Sequence, residues 1–431
     1  IFYMNVVVLT IGNEILTGNT KNSNFEWIGQ HLTEIGCNVT SQWTVADIHD
    51  SIILSLTDLL HQKPDMLIVT GGLGPTEDDV TRKALFQFVG TDAEFDDDYW
   101  KELQERFTQF GIDIPESNRN QALIPKKGDV IPNPVGSARG YKFEIDGSIL
   151  IALPGVPVEM ETMMTKSVIP LIKDMEITPT TIKTIRTTGI PESALIEKLE
   201  PVLKKKHQCT LGFYPSIYGV DIRFSHQEPK LVSVLASQLT GILGDVIYGN
   251  DKERLEDVVV HLAKEKSKKI ATAESCTGGL ISHRLTEVPG SSSVYLGGMV
   301  VYSNDAKVNL LEVENSIIQK HGAVSEETAA AMAVNVRKIF GADYGISITG
   351  IAGPTGGSPE KPVGLVYIGL ANGKDVAVNK FRFGKNRKRN KLRVSQAGLN
   401  WLRKSLINDW LDWNKYRINR QNFYCITQIL V

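Results

Sequence analysis

One repeated pattern constrains this chain more than any other. Short apolar, β-branched runs end in glycine-bearing loops and are separated by segments of helical period. Val6-Val7-Val8-Leu9 runs into Gly12, Met66-Leu67-Ile68-Val69 into Thr70-Gly71-Gly72, and Ile149-Leu150-Ile151-Ala152 into Pro154-Gly155. A continuous apolar run has no face to offer water, so each reads as a strand covered on both sides, as in a parallel sheet sheathed by helices. Between the first two runs a helix is expected, with Asn24 as its cap, Phe25, Ile28, Leu32 and Ile35 on one face, and Gly36 as its stop. Open α/β sheets bind ligands beyond the carboxyl ends of their strands, so the glycine loops are the places to look for a site.

The alternation returns in Lys269–Thr272, Val294–Leu296, Gly345–Ile348 and Gly364–Ile368. Among these runs, Ser325 is the expected N-cap of a helix with Glu326 and Glu327 in its first turn, where the helix dipole favours acids. Met332, Val336 and Ile339 form its apolar face and Gly341 ends it. The stretch from Thr178 to Ser225 differs. Lys183–Thr187 and Val220–Phe224 alternate polar with apolar, as half-exposed strands do, around a helical segment from Glu192 with a basic end at Lys204-Lys205-Lys206. Pro179 and Gly249 bound this α+β module. With 431 residues, more than one ordinary core can hold, the expected fold class is α/β. Two α/β domains with mostly parallel sheets, 4–172 and 254–406, are joined by a small α+β module at 178–248. A tail, 407–431, places Trp410, Trp413, Tyr416 and Phe423 among polar residues without a period.

Composition excludes several functions. No apolar run approaches the roughly 18 residues that span a bilayer, and Ile1-Phe2-Tyr3-Met4 does not begin a basic and then apolar leader. Cys37, Cys209, Cys276 and Cys425 are dispersed and form no CxxC pair, and no two histidines make HxxxH. A disulfide framework and a thiolate or histidine metal site are therefore not expected, and a reducing cytoplasm is. A net charge of -2 offers no general attraction to nucleic acid.

Two loops resemble each other: Thr70-Gly71-Gly72-Leu73-Gly74-Pro75-Thr76 and Thr349-Gly350-Ile351-Ala352-Gly353-Pro354-Thr355. Glycines let backbone amides turn outward towards a phosphate or carboxylate, although a plain tight turn has the same composition. After the first loop comes Glu77-Asp78-Asp79. These acids suit the first turn of a helix, and Asp78 and Asp79 also suit a Mg²⁺ ion carried on a phosphate substrate.

The second α/β domain offers a nucleophile. Ala273-Glu274-Ser275-Cys276-Thr277-Gly278-Gly279 lies between a strand and the helical pattern of Leu280, Ile281 and Leu285, so its side chains face free helix amides that could hold an oxyanion. Ser275, Cys276 and Thr277 are all candidates. A serine needs a base, and Lys307 in Tyr302–Lys307 can serve if burial or nearby cations lower its pKa. From Lys380 to Arg393 run eight Lys/Arg and no acid. Such a run is ordinarily a solvated face, but a single arginine of it could clamp a phosphate.

From Met4 to about Leu406 the chain resembles the bacterial competence/damage-inducible protein A (CinA) family. The matching strings are AESCTGG at 273–279, PGSS at 289–292, YSNDAK at 302–307, HGAVSE at 321–326, TGIAGP at 349–354 and EKPVG at 360–364. The last domain resembles the nicotinamide-mononucleotide amidohydrolases. That likeness implies metal-free hydrolysis of nicotinamide mononucleotide to nicotinate mononucleotide and ammonia, with Ser275 as nucleophile and Lys307 as base. Tyr302 and Thr349 would orient them. Amides near Cys276–Gly278 would hold the oxyanion, with Thr277 and Gly278 beside the substrate. Arg387, Gly350 and Gly353 would hold the phosphate. Lys385 interrupts the family's Gly-Asp/Asn-Arg string here, which leaves Arg389 and Arg393 as rivals to Arg387.

The first domain resembles the molybdopterin-binding fold of MoaB and MogA through Gly12-Asn13-Glu14, TGGLGPTEDD at 70–79, NPVGSARG at 133–140 and LPGVP at 153–157. The resemblance implies a site of Asn13, Glu14, Thr70, Gly71, Gly72, Gly74, Asp78, Asp79, Ser137 and Gly155, where relatives often carry Thr in place of Asn13. In CinA-like proteins it goes with ADP-ribose pyrophosphatase activity and a divalent cation, Mg²⁺ foremost. The middle module resembles the family's KH-like domain but shows no GXXG loop, so RNA binding is not expected there. A homodimer is expected by analogy. The competing readings are a molybdopterin-binding or cofactor-assembly protein and a non-catalytic competence factor that binds nucleic acid.

Overall fold

The computed structural model describes residues 4–76, 79–109, 111–175, 179–205 and 207–408. It contains two compact units, one reaching to Thr181 and including Gln227–Pro229, the other formed by Ile182–His226 and the chain from Lys230 onward.

In the first unit, β1 (Asn5–Ile11), β2 (Asn38–Val45) and β3 (Met66–Thr70) are followed by a small two-stranded ribbon, β4 (Ala93–Phe95) with β5 (Leu123–Pro125). β6 (Asp129–Ile131), β7 (Gly140–Ile145) and β8 (Ser148–Leu153) complete a six-stranded sheet of order β2-β1-β3-β8-β7-β6. Its β2-β1-β3-β8 part is parallel, and β7 and β6 add antiparallel strands at one edge. Separate apolar clusters cover the two faces. Val7, Leu9, Leu67 and Val69 face one, while Val6, Val8, Met66 and Ile68 face the other. This explains the unbroken apolar runs, because alternate residues of one strand enter different cores.

The expected first helix forms over Ser23–Glu34, with Ile28 and Leu32 buried. Its cap is Asn22, whose side chain accepts from Phe25 N, and not Asn24. Asn24 lies inside the first turn and is buried. Its Nδ2 donates to Thr70 Oγ1 at 3.0 Å and to Gly155 O at 2.8 Å, so it ties two glycine loops together. The helix after the first loop starts at Thr81 and has no acid in its first turn, contrary to the expectation for 77–79. Glu77 and Asp78 lie outside the described residues. Asp79 precedes the helix and closes the loop instead, accepting from Thr76 N at 2.9 Å and from Thr76 Oγ1.

In the second unit, β9 (Thr181–Thr187), β10 (Thr210–Pro215), β11 (Val220–His226) and β12 (Ile247–Asn250) form a four-stranded sheet of order β10-β11-β9-β12. It packs with helices Glu192–Leu203 and Pro229–Leu243 around Ile185, Leu195, Ile222 and Leu235. This is the expected α+β module. The last sheet contains β13 (Ile270–Glu274), β14 (Tyr295–Val300), β15 (Tyr344–Gly350), β16 (Leu365–Ala371) and β17 (Val376–Arg382) in the order β14-β13-β15-β16-β17. β14, β13 and β15 are mutually parallel, and β16 and β17 join antiparallel. Ser325 caps the helix Glu326–Ile339 by accepting from Thr328 N, with Glu326 and Glu327 in the first turn. Met332 and Val336 are buried, but Ile339 is 40% exposed. Phe340 packs on that cluster in its place, because a step of four keeps the helical stripe on the core better than a step of three. The final helix, Arg387–Asn408, passes the expected end at Leu406. Trp410, Trp413, Tyr416 and Phe423 lie outside the described residues.

Candidate active site

β13 and β15 are adjacent and parallel, with Glu274 opposite Ile348, so the loops that leave them emerge side by side. Ser275 is the first residue beyond β13, and its amide donates to Ile348 O at 3.0 Å. The turn then reverses through Gly278 (φ 61°) and Gly279 (φ 87°) into the helix Leu280–Thr286. Positive φ favours glycine at these positions. Glu274, fully buried, accepts from Ile281 N, Ser282 N and Ser282 Oγ, so a carboxylate ties down the first amides of that helix.

Lys307 comes from the helix Asn304–Asn309, capped by Ser303, which follows β14 on the other side of β13. Its side chain is 1% exposed, and Nζ lies 3.1 Å from Ser275 Oγ. Nζ also reaches the carbonyls of Val301 at 2.9 Å, Tyr302 at 3.2 Å and Ser303 at 3.4 Å. Burial lowers the ammonium's pKa below the usual lysine value. A neutral amine has two N–H donors and one lone pair, which can serve two of these carbonyls and the serine hydroxyl together. Cys276 fares otherwise. Burial pushes its thiol up to about 12, so it is not a thiolate near neutrality.

The remaining expected residues divide. Arg387 donates to Tyr302 Oη at 2.8 Å and to Gly353 O at 3.2 Å, linking the YSN segment to the second glycine loop. The Tyr302 hydroxyl therefore engages Arg387 and not the Ser–Lys pair, whereas its carbonyl holds Lys307. Thr349 is buried, and its hydroxyl donates to Ala323 O at 2.6 Å, which anchors the HGAVSE segment without touching the pair. Thr277 is fully buried and its Oγ1 has no partner among the described residues, so it is free for a ligand. Gly278 N is committed to Ser275 O at 3.0 Å. Among the described residues no carbonyl accepts from the amides of Cys276 and Thr277. Gly350 and Gly353 are required by packing. A Cβ on Gly350 would lie 2.7 Å from Leu365 O, and one on Gly353 would lie 2.7 Å from Lys385 O. Packing alone is enough to require glycine at both positions.

Two residues of this site were not singled out individually by the sequence. Asn390, buried in the last helix, donates to Ala352 O at 2.9 Å and to Gly384 O at 2.7 Å and so holds the second loop. Lys391 projects over the nucleophile turn, its Nζ 3.5 Å from where a Cβ on Gly278 would stand.

The first unit gathers its loops by the same rule. β1, β3 and β8 are neighbours, so Gly12–Glu14, Thr70–Thr76 and Pro154–Gly155 meet at one end of the sheet. Thr70 Oγ1 donates to Pro154 O at 2.9 Å. Here too the glycines serve close packing. A Cβ on Gly71 would lie 2.1 Å from Ile11 O, one on Gly72 2.1 Å from Thr81 Oγ1, and one on Gly74 2.5 Å from Asp79 Oδ2, while Gly155 abuts the Gly71 Cα. Ser137 takes part through its carbonyl, which accepts from Tyr99 Oη. Asn13 and Glu14 are exposed, and Asn13 N donates to Asp47 Oδ2 at 2.9 Å. Asp47 carried no motif and was missed. Burial raises its carboxyl pKa despite the Asn13 amide, and the negative charges of Glu14 and Asp79 add to the rise. Among the described residues no three His, Cys, Asp or Glu side chains come close enough to share one metal ion, and Asp78 of the expected Asp78–Asp79 pair lies outside those residues.

The fold and site thus define a three-part α/β protein with a buried Ser–Lys pair in its last domain. Three family models match it in order: a probable molybdopterin binding domain over 7–174, the damage-inducible protein CinA KH domain over 182–249, and the CinA C-terminal domain over 252–406. A relative from Caldicellulosiruptor bescii, named for competence-damage induction, is 38% identical over 93% of this chain and 99% of its own. A CinA-like protein of Dictyoglomus thermophilum is 38% identical over 94% of this chain and all of its own. The crystal structure of a competence/damage inducible protein from Agrobacterium tumefaciens is 39% identical, covering 36% of this chain and 93% of its own, with a TM-score of 0.35. The chain belongs to the CinA family. Among the described residues, no helix is long and apolar enough to cross a membrane.

Proposed function

We propose that the C-terminal domain hydrolyses the carboxamide of nicotinamide mononucleotide to the carboxylate, releasing ammonia. The observation that carries this reading is the 3.1 Å separation of Lys307 Nζ and Ser275 Oγ at a buried helix mouth. Ser275 Oγ attacks the amide carbon while its proton passes to Lys307 Nζ. The amides of Cys276 and Thr277 hold the oxyanion. Collapse of the tetrahedral adduct breaks the C–N bond, and Lys307 returns the proton to the departing ammonia. Water, deprotonated by the same amine, then cleaves the seryl ester, releases nicotinate mononucleotide and restores Ser275. No step calls for a metal. The test is ammonia release from nicotinamide mononucleotide by the full chain in the presence of a chelator. No release, or undiminished release by Ser275→Ala, refutes the reading. Dispersed and buried thiols at Cys37, Cys209 and Cys276 go with a reducing, cytoplasmic setting. A homodimer is the assembly we infer from the family resemblance, and sedimentation of the full chain tests it.

A second reading concerns the first domain, where one observation favours phosphate chemistry: the carboxylates of Glu14 and Asp79 lie near enough to Asp47 to add to the rise that burial causes in its pKa. Mg²⁺ commonly takes only one or two carboxylates and fills its shell with water and substrate phosphate. Asp47 and Asp79 are the residues that would hold it, and ADP-ribose is the proposed substrate. Pyrophosphate cleavage that is absent without Mg²⁺ and lost in Asp47→Asn would support this. Activity that persists in the variant would refute it.

A further inference from the structure

The last helix begins against the usual rule. Its first turn carries Arg387, Lys388 and Arg389 and no acid, with Lys391 one turn beyond Arg387. A helix N-terminus disfavours cations, and like charges four residues apart repel each other. Among the described residues none of these side chains meets a carboxylate. Arg387 contacts only the neutral oxygens of Tyr302 and Gly353, and Arg393, half-buried near Arg389, has its pKa lowered by burial and by that neighbour's charge. Arg387 and Lys391, four residues apart, lie on one face of this turn, and both reach the active site, Arg387 at Tyr302 and Lys391 over Gly278. Departures of this kind from local preference are expected where a bound group supplies the missing charge.

We propose that Lys391, with Arg387, forms the subsite for the phosphate monoester of the substrate, and that Lys391 is the residue by which the enzyme distinguishes a mononucleotide from its nucleoside. This rests on the amidase reading above. The argument is electrostatic. The N-glycosylated pyridinium ring carries a positive charge, so an uncompensated cationic cluster beside Ser275 repels the nucleoside and admits the ring only when a phosphate dianion comes with it. A phosphate monoester carries two unesterified charges on one phosphorus, one for each of the two cations.

The experiment compares ammonia release from nicotinamide mononucleotide and from nicotinamide riboside by the full chain, Lys391→Ala and Lys391→Arg. In Lys391→Ala, KM for the mononucleotide is expected to rise roughly tenfold with kcat changed less than about twofold, while turnover of the riboside is unchanged or improved. Lys391→Arg should retain most of the discrimination. An equal loss on both substrates, or no change on either, overturns the assignment. Should the wild type hydrolyse neither substrate, the amidase reading fails separately. Titration of wild type and Lys391→Ala with inorganic phosphate then decides the subsite. Weaker binding by the variant supports it, and equal or absent binding overturns it.

Discussion

The two α/β domains of this chain gather their loops by one rule and fill them with opposite charge. In the first, the ends of β2, β1 and β3 bring Glu14 and Asp79 near Asp47, whose carboxyl pKa is raised by burial and then by their charges. In the last, the ends of β13 and β15 bring together Ser275, a buried lysine and a run of cations that meets no carboxylate among the described residues. Parallel strands determine where a ligand can sit, and the side chains beyond the strands determine its charge and its chemistry. The paired TGG and TGI loops illustrate the limits of motif likeness, because in both the glycines chiefly make room for neighbouring atoms of the protein.

The contrast can be broken most sharply at Ser275 and Lys307. Either residue changed to alanine should lower kcat for ammonia release at least roughly 10⁴-fold, and the double variant should be no worse, because the two act as one unit. Pyrophosphate cleavage by the first domain should be untouched, and stopped assays of both reactions on the same preparations would show it. The next largest effect is expected in the first domain. Asp47→Asn should reduce Mg²⁺-dependent cleavage about 100-fold. The same change should leave the protein as stable at neutral pH or more stable by roughly 0.5 kcal/mol, a figure already reduced for solvent screening. Since the fold raises this carboxyl's pKa, its penalty is present when it is ionised and fades as pH falls towards its unfolded value. Urea titrations at pH 7 and pH 4 would show the gain of the variant shrinking in acid.

Lys307 gives the opposite pH signature. Its folded pKa is lowered, so the unfolded chain binds the proton more tightly, and wild-type stability relative to Lys307→Met should rise with pH between the folded pKa and the usual lysine value. kcat/KM for the amidase should climb over the same limb as the amine becomes neutral, and a limb unmoved from that of free lysine would argue against Lys307 as base. The smallest effect is structural. Ser325→Ala should cost about 1 kcal/mol through loss of the bond to Thr328 N, read as a lower denaturation midpoint with KM unchanged.

Much of this was legible from residue order. The strands announced themselves because alternate residues of each enter different cores, and Ser325, Gly36 and Gly341 punctuate helices through their own backbone and side-chain chemistry. Asn24 misled because a cap and a buried cross-link use the same amide, and only the fold decides which carbonyl it reaches. Asp47 was invisible because it sits in an undistinguished string with its partner Asn13 34 positions away, whereas Lys391 was one cation among eight in the run from Lys380 to Arg393, singled out only by its approach to Gly278, 113 positions away.

By itself, the sequence determined the alternation of strand and helix, the placing of glycine loops at strand ends, and the strings that carry the family likeness, because these depend on neighbours within a few residues. Tertiary structure alone decided that Lys307 is dry and within reach of Ser275, that Tyr302 serves Arg387, and that acids crowd one sheet end and cations the other. The reason is physical: desolvation and Coulomb energy depend on distance through space, and strand order sets those distances.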